Sequence, residues 1–336
     1  MEQKKQMDSG SPAGQKKQDG CRQQVYCGIG GQAVIEGIMM KNAESYAVGV
    51  RKPDGTIFVK EDRYISLTDR YPFLKVPFVR GIFSFADSMV LGMKCLSYSA
   101  SFFEDDPDEK PSAFERWLDR VFGEKLEAVL SGAVIAFSFL IAILLFVLFP
   151  TFAVGLLRPV LHSETLIAFL EGLFRVLLFI IYIKLISRTP DIRRTFQYHG
   201  AEHKCINCVE HGLPLTVRNV AVSSKEHKRC GTSFIVYVML ISILLFMVIR
   251  VDGVLLRFLS RIILIPVIAG ISYEVLRFVG THDNALTRIL FIPGMWMQGL
   301  TTREPDDAQI EVAIAAVEKV FDWKRFEEEH FGNEAG

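Results

Sequence analysis

The chain has 336 residues, half of them hydrophobic, with 38 basic and 38 acidic side chains and a mean hydropathy of +0.27. The balanced charge gives no sign of a nucleic-acid-binding surface, so we expect no nucleic acid among its partners. The positive hydropathy is typical of a membrane protein. Three of the six cysteines (Cys205, Cys208 and Cys230) lie close to histidines in the sequence, which favours reduced or metal-bound thiols over a disulfide framework.

The N-terminal part is polar and then rich in β signals. Residues 1–24 are rich in Lys, Gln, Gly and Ser and predict a disordered tail rather than a signal peptide. The unit that follows, residues 25–112, contains two β-rich runs, 46–51 and 56–60, around a Pro-Asp-Gly turn, which predicts a β-hairpin. The glycines of segment 28–37 indicate tight turns or close backbone approach. They lack the strand and helix context of a dinucleotide site.

The second half of this unit is apolar. Within residues 76–103, Arg80, Asp87 and Lys94 are spaced seven apart and share one helical stripe. The pattern predicts an amphipathic helix on the membrane surface or packed on other helices, and a membrane-inserted segment is the alternative. An acidic, proline-containing linker (103–111) follows.

Four apolar stretches are long enough to cross a bilayer, which takes about 20 residues. They cover residues 128–149, 165–187, 232–249 and 262–280. A polar helix, 113–127, precedes the first stretch. We therefore predict two transmembrane hairpins, one over residues 113–187 and one over 232–280, separated by a polar segment, 188–231.

Charged residues occur inside two of these stretches. Glu171 and Arg175 lie at i and i+4 and predict an intramembrane ion pair. Glu274 lies in the fourth stretch, where an intramembrane carboxylate is a candidate functional group, and pairing with Arg277 is the structural alternative.

The distribution of basic residues predicts the orientation. Segment 188–231 has eight basic residues, whereas the loop after the first span has Arg158 alone and the loop after the third has three arginines. Because cytoplasmic loops are enriched in Lys and Arg, we expect segment 188–231 and both termini in the cytoplasm. The eight are Arg188, Arg193, Arg194, Lys204, Arg218, Lys225, Lys228 and Arg229.

The C-terminal part, residues 281–336, begins with prolines and glycines among large apolar residues. These prolines and glycines lie in residues 292–300 and indicate an interfacial or re-entrant segment over residues 285–300. A final amphipathic helix is predicted over about 306–321, with Ile310 and Val317 on its apolar face.

The most informative stretch is Tyr198-His-Gly-Ala-Glu-His-Lys204 in the polar segment. A helix is predicted to start at Thr189-Pro190-Asp191 and to continue to Gly212. His199 and His203 are then one turn apart on one face and can share a metal ion, while Glu202 beside them can act on a metal-bound water. This order of residues is the inverzincin signature. The alternative is a polar helix on the membrane whose histidines are solvated or hydrogen-bonded.

Two histidines need at least one more ligand. His227 and Cys230, which lie just before the third span, and Glu274 are the candidates. Cys205-x-x-Cys208 with His227-x-x-Cys230 also has the spacing of a closed, structural zinc site, which is a further alternative. Gly200 is costly inside a helix and indicates close approach of another backbone or of a ligand.

Five stretches together resemble the YqhQ-like family of bacterial membrane proteins, a domain of unknown function (1385) whose members are often labelled metal-dependent enzymes. They are Gly30–Met40, Tyr198–Lys204, Arg229–Phe234, Tyr273-Glu274 and Thr301–Pro305. The resemblance covers about residues 25–322. The family pattern matches this sequence at His199, Glu202, His203, His227, Cys230 and Glu36.

The sequence departs from the family pattern at one position and has two cysteines that the pattern lacks. Lys228 follows His227 where the family shows proline, and Cys205 and Cys208 are not part of the pattern. For Glu36, which follows an apolar run, we consider a second acid or a metal ligand, with an exposed turn carboxylate as the alternative.

These observations predict an α-helical polytopic membrane protein of about four transmembrane helices with a small cytoplasmic N-terminal α/β unit, located in the bacterial inner (plasma) membrane. We expect a metal-dependent hydrolase that uses a divalent ion, zinc by ligand type, bound by His199 and His203 and completed by His227, Cys230 or Glu274. Glu202, and less directly Glu36, are the expected catalytic residues.

We expect the protein to be surrounded by membrane lipids. The expected substrate is a peptide bond of a membrane protein or a lipid-linked group. The alternative is a non-enzymatic membrane protein, either a transporter, which would need a homo-oligomer, or an assembly or regulatory factor.

Overall fold

The computed structural model of the protein describes residues 24–103, 126–249, 251 and 253–332. The predicted N-terminal tail, the acidic linker and the polar helix over 113–127 lie outside the described residues, apart from their last or first positions. Within the described residues the chain is mostly helical, with one small sheet near its N-terminal end.

The sheet is a four-stranded antiparallel meander in which each strand pairs with the next along the chain. The strands are β1 (Ile29–Val34), β2 (Gly37–Asn42), β3 (Ser45–Arg51) and β4 (Ile57–Arg63). The predicted hairpin is confirmed as β3 and β4, with Arg51 paired to Ile57 and Gly55 at φ +84° in the turn. The glycine-rich segment, expected only to turn or to approach other backbone, forms β1 and the start of β2.

The helices follow the sheet and fill most of the remaining chain. They are α1 (Leu67–Arg70), α2 (Val79–Ala100), α3 (Leu126–Ile143), α4 (Phe149–Gly155), α5 (Glu164–Ile186), α6 (Pro190–Glu210), α7 (Val217–Val222), α8 (Gly231–Val248), α9 (Val254–Thr281), α10 (Ala285–Thr301), α11 (Asp307–Val320) and α12 (Trp323–Phe331). A 3₁₀ turn, Pro72–Lys75, lies before α2, and a π-helical turn, Leu144–Leu148, joins α3 to α4.

Both faces of the sheet are covered. Ile38 and Met40 of β2 pack in a core with α6 and α11, whereas Met39, which points to the other face, packs with Leu91 and Cys95 of α2. Alternate residues of a strand point to opposite faces, so a strand covered on both sides needs apolar residues at consecutive positions. This is why the run Ile38-Met39-Met40 is buried without alternation.

Four helical stretches are long and apolar enough to cross a membrane. They are Gly132–Gly155, Glu164–Ile186, Gly231–Val248 and Phe258–Thr281. They agree with the four predicted stretches, although the first continues through the π-helical turn beyond its predicted end. Their surfaces carry large exposed apolar side chains: Val134, Phe137 and Ile263 have 63–70% of their surface accessible. A water-soluble protein rarely exposes such a continuous apolar surface.

Three charged residues inside this bundle, Glu171, Arg175 and Arg261, form one ion cluster. The predicted contact between Glu171 and Arg175 is confirmed at 3.4 Å, and Arg261 of α9 donates to the same carboxylate at 2.6 Å. Arg175 also donates its Nε to the carbonyl of Phe146, which lies in the π-helical turn. The sequence did not indicate Arg261 as a member of this ion cluster.

The C-terminal helices close the structure against the sheet. The predicted helix over 306–321 is confirmed as α11, which begins with a capping box between Asp306 and Gln309 and buries Ile310 and Val317. Residues 285–300, expected as an interfacial or re-entrant segment, form the helix α10, which packs mainly on α8. The short helix α12 after Asp322 was not predicted.

Candidate metal centre

Helix α6 places the two histidines of the central motif. It begins with Thr189 in an extended conformation and Pro190 in the first turn, as predicted, and ends at Glu210. Proline fits the first turn because that position has no intrahelical hydrogen bond to lose. His199 and His203 therefore lie one turn apart, with ring centroids separated by 4.4 Å.

The third member of the cluster is Cys230, the N-cap residue of α8. Its Sγ lies 3.2 Å from His199 Nε2 and accepts from the backbone N–H of Thr232. One ligand atom each from His199, His203 and Cys230 lie within 4.8 Å of one another. The structure thus brings together the predicted histidine pair and one of the three candidates for the third ligand.

Two backbone carbonyls fix the orientation of the histidine rings. His199 Nδ1 lies 2.9 Å from the carbonyl oxygen of Thr301, and His203 Nδ1 lies 2.6 Å from that of Lys225. A carbonyl oxygen can only accept, so both Nδ1 atoms must carry the proton. The Nε2 atoms are therefore unprotonated in the neutral rings, and the Nε2 of His199 faces the sulfur of Cys230. Metal-binding histidines in proteins usually have this arrangement, with the second nitrogen donating to a carbonyl or carboxylate.

The surroundings favour neutral histidine. His203 is almost fully buried, and burial lowers the pKa of its imidazole, an effect that the neighbouring Cys230 opposes. A neutral imidazole is the form that binds a metal ion.

The donor set fits a transition metal better than calcium or magnesium. Two imidazole nitrogens and one sulfur suit zinc and related ions, whereas calcium and magnesium need oxygen ligands. In tetrahedral zinc sites the usual bond lengths place nitrogen and sulfur ligands about 3.6 Å apart. The 3.2 Å between His199 Nε2 and Cys230 Sγ is a few tenths of an ångström shorter. Three protein ligands leave one position for water or substrate, as in catalytic zinc sites.

Gly200 lets a distant segment approach α6. A Cβ at this position would lie 2.0 Å from the carbonyl oxygen of Arg303, which no side chain could tolerate. The approach is held by the backbone N–H of Arg303, which donates to the carbonyl of Phe196 at 2.9 Å. The predicted reason for this glycine, close approach of another backbone, is confirmed. The same approach brings the Thr301 carbonyl to His199.

A row of α6 side chains holds the loop that precedes Cys230. Lys204 donates to the carbonyls of Ala221 and Ser223, and Asn207 donates to those of Ser224 and Glu226. The Lys225 carbonyl that orients His203 lies between the two carbonyls bound by Asn207. These hydrogen bonds shape the backbone of residues 221–226 around α6. Backbone carbonyls leave no signature in a sequence, so this layer could not be predicted.

Glu202 lies beside the cluster on α6 but outside the group of converging ligand atoms. It is buried against Gly31 of β1, whose backbone N–H interacts with the carboxylate, and a Cβ on Gly31 would collide with the Glu202 side chain. Burial raises the pKa of this carboxyl group, while His199 opposes the shift. A buried carboxyl group with a raised pKa next to a metal-type cluster has the properties of a general base.

Comparison with known proteins places the chain in a family. Residues 76–323 match the family described as "Protein of unknown function (DUF1385)". The chain is also 40% identical over 292 residues to "Uncharacterized protein YqhQ" of Bacillus subtilis (strain 168), covering 85% of this chain and 89% of that relative. The chain belongs to this family. No solved structure matches it.

His227, another candidate for the third ligand, lies next to the cluster and is engaged elsewhere. Its ring is 5.7 Å from that of His203, and its Nε2 lies 3.4 Å from a carboxylate oxygen of Glu210. Glu210 is fully buried and also accepts from Arg229. Burial alone would raise the pKa of Glu210, but the hydrogen bond with His227 and the charge of Arg229 lower it.

Glu274 and Glu36 are each paired with an arginine. Glu274 accepts from Arg80 of α2, so its hydrogen-bonded partner is Arg80, whereas the sequence offered Arg277 as the alternative to a functional role. The reason is tertiary: α2 packs along α9 and brings Arg80 to it. Glu36, in the turn between β1 and β2 with φ +46°, pairs with Arg194 of α6. Neither carboxylate is brought to the histidine cluster.

The closed four-ligand site is not formed within the described residues. Cys205 and Cys208 lie in the apolar core between α6 and α11, and the thiol of Cys208 donates to the carbonyls of Leu213 and Pro214. Burial raises the pKa of Cys208 to about 12, so this sulfur stays a protonated thiol. Gln298, a buried residue that the sequence analysis missed, bonds to the backbone N–H and carbonyl of His227 and thereby fixes the start of the Cys230 loop.

Proposed function

We propose that this protein is an integral membrane protein that binds a divalent transition-metal ion through His199, His203 and Cys230, and that it is a metal-dependent hydrolase. The observation that supports the proposal most directly is the convergence of three ligand atoms within 4.8 Å, two of them on histidines whose rings are oriented by backbone carbonyls. Zinc is the ion that the donor set favours.

Membrane insertion is part of the proposal and is supported by the four long apolar helices. The cluster lies between α6 and the start of α8, directly at one end of an apolar stretch. The basic residues of segment 188–231 favour the cytoplasmic side for this end, and with it both termini. We therefore expect the site at the cytoplasmic face of the inner (plasma) membrane, surrounded by lipid headgroups.

The residues divide the chemistry as follows. His199, His203 and Cys230 would hold the ion, and the carbonyls of Thr301 and Lys225 keep the histidine rings in place. An ion bound there would supply Lewis-acid activation of water and of a carbonyl or phosphoryl oxygen. A carboxylate oxygen of Glu202 accepts the proton released by the attacking water, a role for which its raised pKa is suited. Substrates within reach are peptide bonds of membrane proteins and lipid-linked groups at the bilayer surface.

The first test is metal content. The protein is purified in detergent, and metals are measured by mass spectrometry in wild type, His199→Ala, His203→Ala and Cys230→Ser. Matched controls are His282→Ala and Cys208→Ser, which change the same residue types outside the cluster. We expect a stoichiometric metal in wild type and in the controls and its loss in the three cluster variants. Wild-type protein without stoichiometric metal would contradict the proposal.

The second test separates catalysis from binding. Proteoliposomes containing wild type or Glu202→Gln are incubated with a single-span peptide, a phospholipid ester and a lipid-linked phosphodiester. We expect metal-dependent hydrolysis of one class by wild type, and retained metal without hydrolysis in Glu202→Gln. Hydrolysis that is unaffected by Glu202→Gln would remove this residue from the mechanism.

One observation favours a second candidate, a non-enzymatic membrane protein in which the ion is structural. His203 and Cys230 are buried, and a shared ion would connect α6 to the start of α8. An assembly or regulatory factor, or a transporter, would use the ion in this way. In that case metal removal lowers the melting temperature, and no substrate class is hydrolysed.

A further inference from the structure

The start of helix α2 packs against the middle of α9, and this position determines where α2 lies relative to the membrane. A Cβ on Gly270 would lie 2.7 Å from the carbonyl oxygen of Phe78, and a Cβ on Gly81 would lie 2.6 Å from the side chain of Tyr273. Two glycines thus allow the two helices to approach closely, as small residues do between membrane helices. The start of α2 is therefore fixed at the level of residues 270–274.

The end of α9 gives the depth of that level. Arg229, just before α8, donates to the carbonyl of Gly280, so the ends of two apolar helices lie side by side there. We call this end of the bundle the site end, because Cys230 is next to it. At a rise of 1.5 Å per residue, Gly270 lies about 16 Å and Glu274 about 10 Å below Thr281 at the site end. These depths correspond to the hydrocarbon region of a bilayer about 30 Å thick.

The remainder of α2 rises toward the sheet. Phe85 contacts Phe234 near the start of α8, with ring centroids 5.2 Å apart. Further along, Gly92 packs against Gln32 of β1. Helix α2 therefore runs from the level of Gly270 up to the sheet. Its first two turns lie alongside the apolar helices.

Two ion pairs lie near the start of α2. Glu274 accepts from Arg80 and also from the backbone N–H of Phe78 at 3.2 Å, which satisfies a donor at the helix start. Lys75 extends back to Asp69 at 3.1 Å, in the manner of a lysine that snorkels toward the surface. Paired charges of this kind are what the membrane interior tolerates.

Apolar side chains cover the outer surface of the same segment. Phe73 exposes 72%, Val76 55% and Phe78 54% of their surface, and Tyr71 and Val79 are also exposed. Phe78 lies at the level of Gly270, so the medium outside it is lipid if α9 spans the bilayer, and Phe73 and Val76 precede it by only five and two residues. Aromatic and aliphatic side chains gain free energy on transfer from water to such a medium.

We propose that residues 71–85 form a re-entrant membrane segment that enters the site-end leaflet and returns, with Phe73, Val76 and Phe78 in contact with lipid acyl chains. It is a fifth membrane-embedded element, inserted from the same side as the metal cluster, and Glu274 serves as its anchor. The inference rests on the proposed spanning of the membrane by α9.

The test is the accessibility of spin labels in proteoliposomes. Labels are attached to Phe73→Cys, with Val134→Cys of the first span and Val222→Cys of α7 as matched apolar, exposed controls. The background carries Cys21→Ser, and the native cysteines at 27, 95, 205, 208 and 230 are buried and so shielded from the label. Oxygen, which concentrates in lipid, and a water-soluble nickel chelate are compared as relaxing agents.

We expect the ratio of oxygen to nickel accessibility at Phe73 to match that at Val134 and to exceed that at Val222. A ratio at Phe73 equal to that at Val222 would overturn the proposal, as would dipolar broadening between labels at Phe73 of two copies, which would mean that a second copy covers the segment. Val76→Cys provides the same readout if Phe73→Cys does not fold. A water-like ratio at Val134 would instead disprove membrane spanning itself.

Discussion

Two polar clusters of this protein differ in how their members are satisfied. In the bundle, Glu171 lies between Arg175 and Arg261, and each charge already has a partner of opposite sign. At the site end, one ligand atom each from His199, His203 and Cys230 lie within 4.8 Å of one another, while the Nδ1 atoms of both histidines are bound to carbonyls. The members of the first cluster are bound to one another, whereas the second brings together three side chains that can ligate a metal. Only the second therefore has the composition of a binding site.

The largest effect on stability is expected from breaking the ion cluster around Glu171. Glu171→Ala leaves two arginines buried without a counter-charge, and removing one partner of a buried ion pair typically costs about 3–5 kcal/mol. We expect a corresponding loss in the free energy of unfolding, measured by titration with denaturing detergent in mixed micelles. Glu164→Ala, at the exposed start of the same helix, is the control and should cost far less. Metal content per folded molecule should not change, and a loss of metal would show that the two clusters are coupled.

The next effect tests the approach of the Thr301 segment to α6. Gly200→Ala places a methyl group where the carbonyl oxygen of Arg303 now lies. Overpacking of this kind costs about 1–3 kcal/mol, and here it also moves the Thr301 carbonyl away from His199. We expect weaker metal binding, measured by competition with a chelator. Gly299→Ala is the control, because a Cβ on this helical glycine meets nothing within 4 Å; equal metal affinities in the two variants would contradict the role of the approach.

A smaller effect is expected from the layer behind the histidines. Asn207→Ala removes the two hydrogen bonds, 2.7 and 2.8 Å long, that hold the carbonyls on either side of Lys225. Loss of such outer partners commonly weakens metal binding by about 10-fold or more. The chelator competition should show this loss. Asn219→Ala, which removes a hydrogen bond from α7 to the carbonyl of Pro214, should leave the affinity unchanged. An unaltered affinity in Asn207→Ala would mean that the loop holds its shape without this side chain.

The smallest effect concerns an exposed carboxylate of the same region. Glu304 bonds to Lys204 and Lys225 with 64% of its side chain exposed, so solvent screens the pair and its contribution is at most about 1 kcal/mol. Burial alone would raise the pKa of Glu304, but the two lysines lower it below the usual 4.5. A carboxyl group whose pKa is lowered in the folded state stabilises the fold at pH values above its unfolded-state pKa. This stabilisation is lost as the pH falls. Glu304→Gln should therefore lower the melting temperature slightly at pH 7. The difference from wild type should shrink as the pH falls below about 4.5, and a difference that persists there would contradict the electrostatic origin.

The sequence alone determined the elements that depend on local periodicity. The four apolar helices, the hairpin of β3 and β4, and the helix with His199 and His203 on one face could be predicted because residues a few positions apart set hydropathy, turn geometry and helical spacing. The requirement for glycine at position 200 could also be inferred, since a helix interior otherwise disfavours it.

Only the tertiary structure decided which distant residues complete the site. Cys230, His227 and Glu274 were all candidates from the sequence. The loop before α8, whose carbonyls accept from Lys204 and Asn207 of α6, brings Cys230 to the histidines. Glu210 engages His227, and Arg80 engages Glu274. Partners of this kind lie tens to hundreds of residues apart, and the carbonyls that orient the histidines have no side-chain signature. The positions of these partners follow from tertiary packing and not from sequence spacing. The histidine pair was therefore predictable, whereas its third ligand was not.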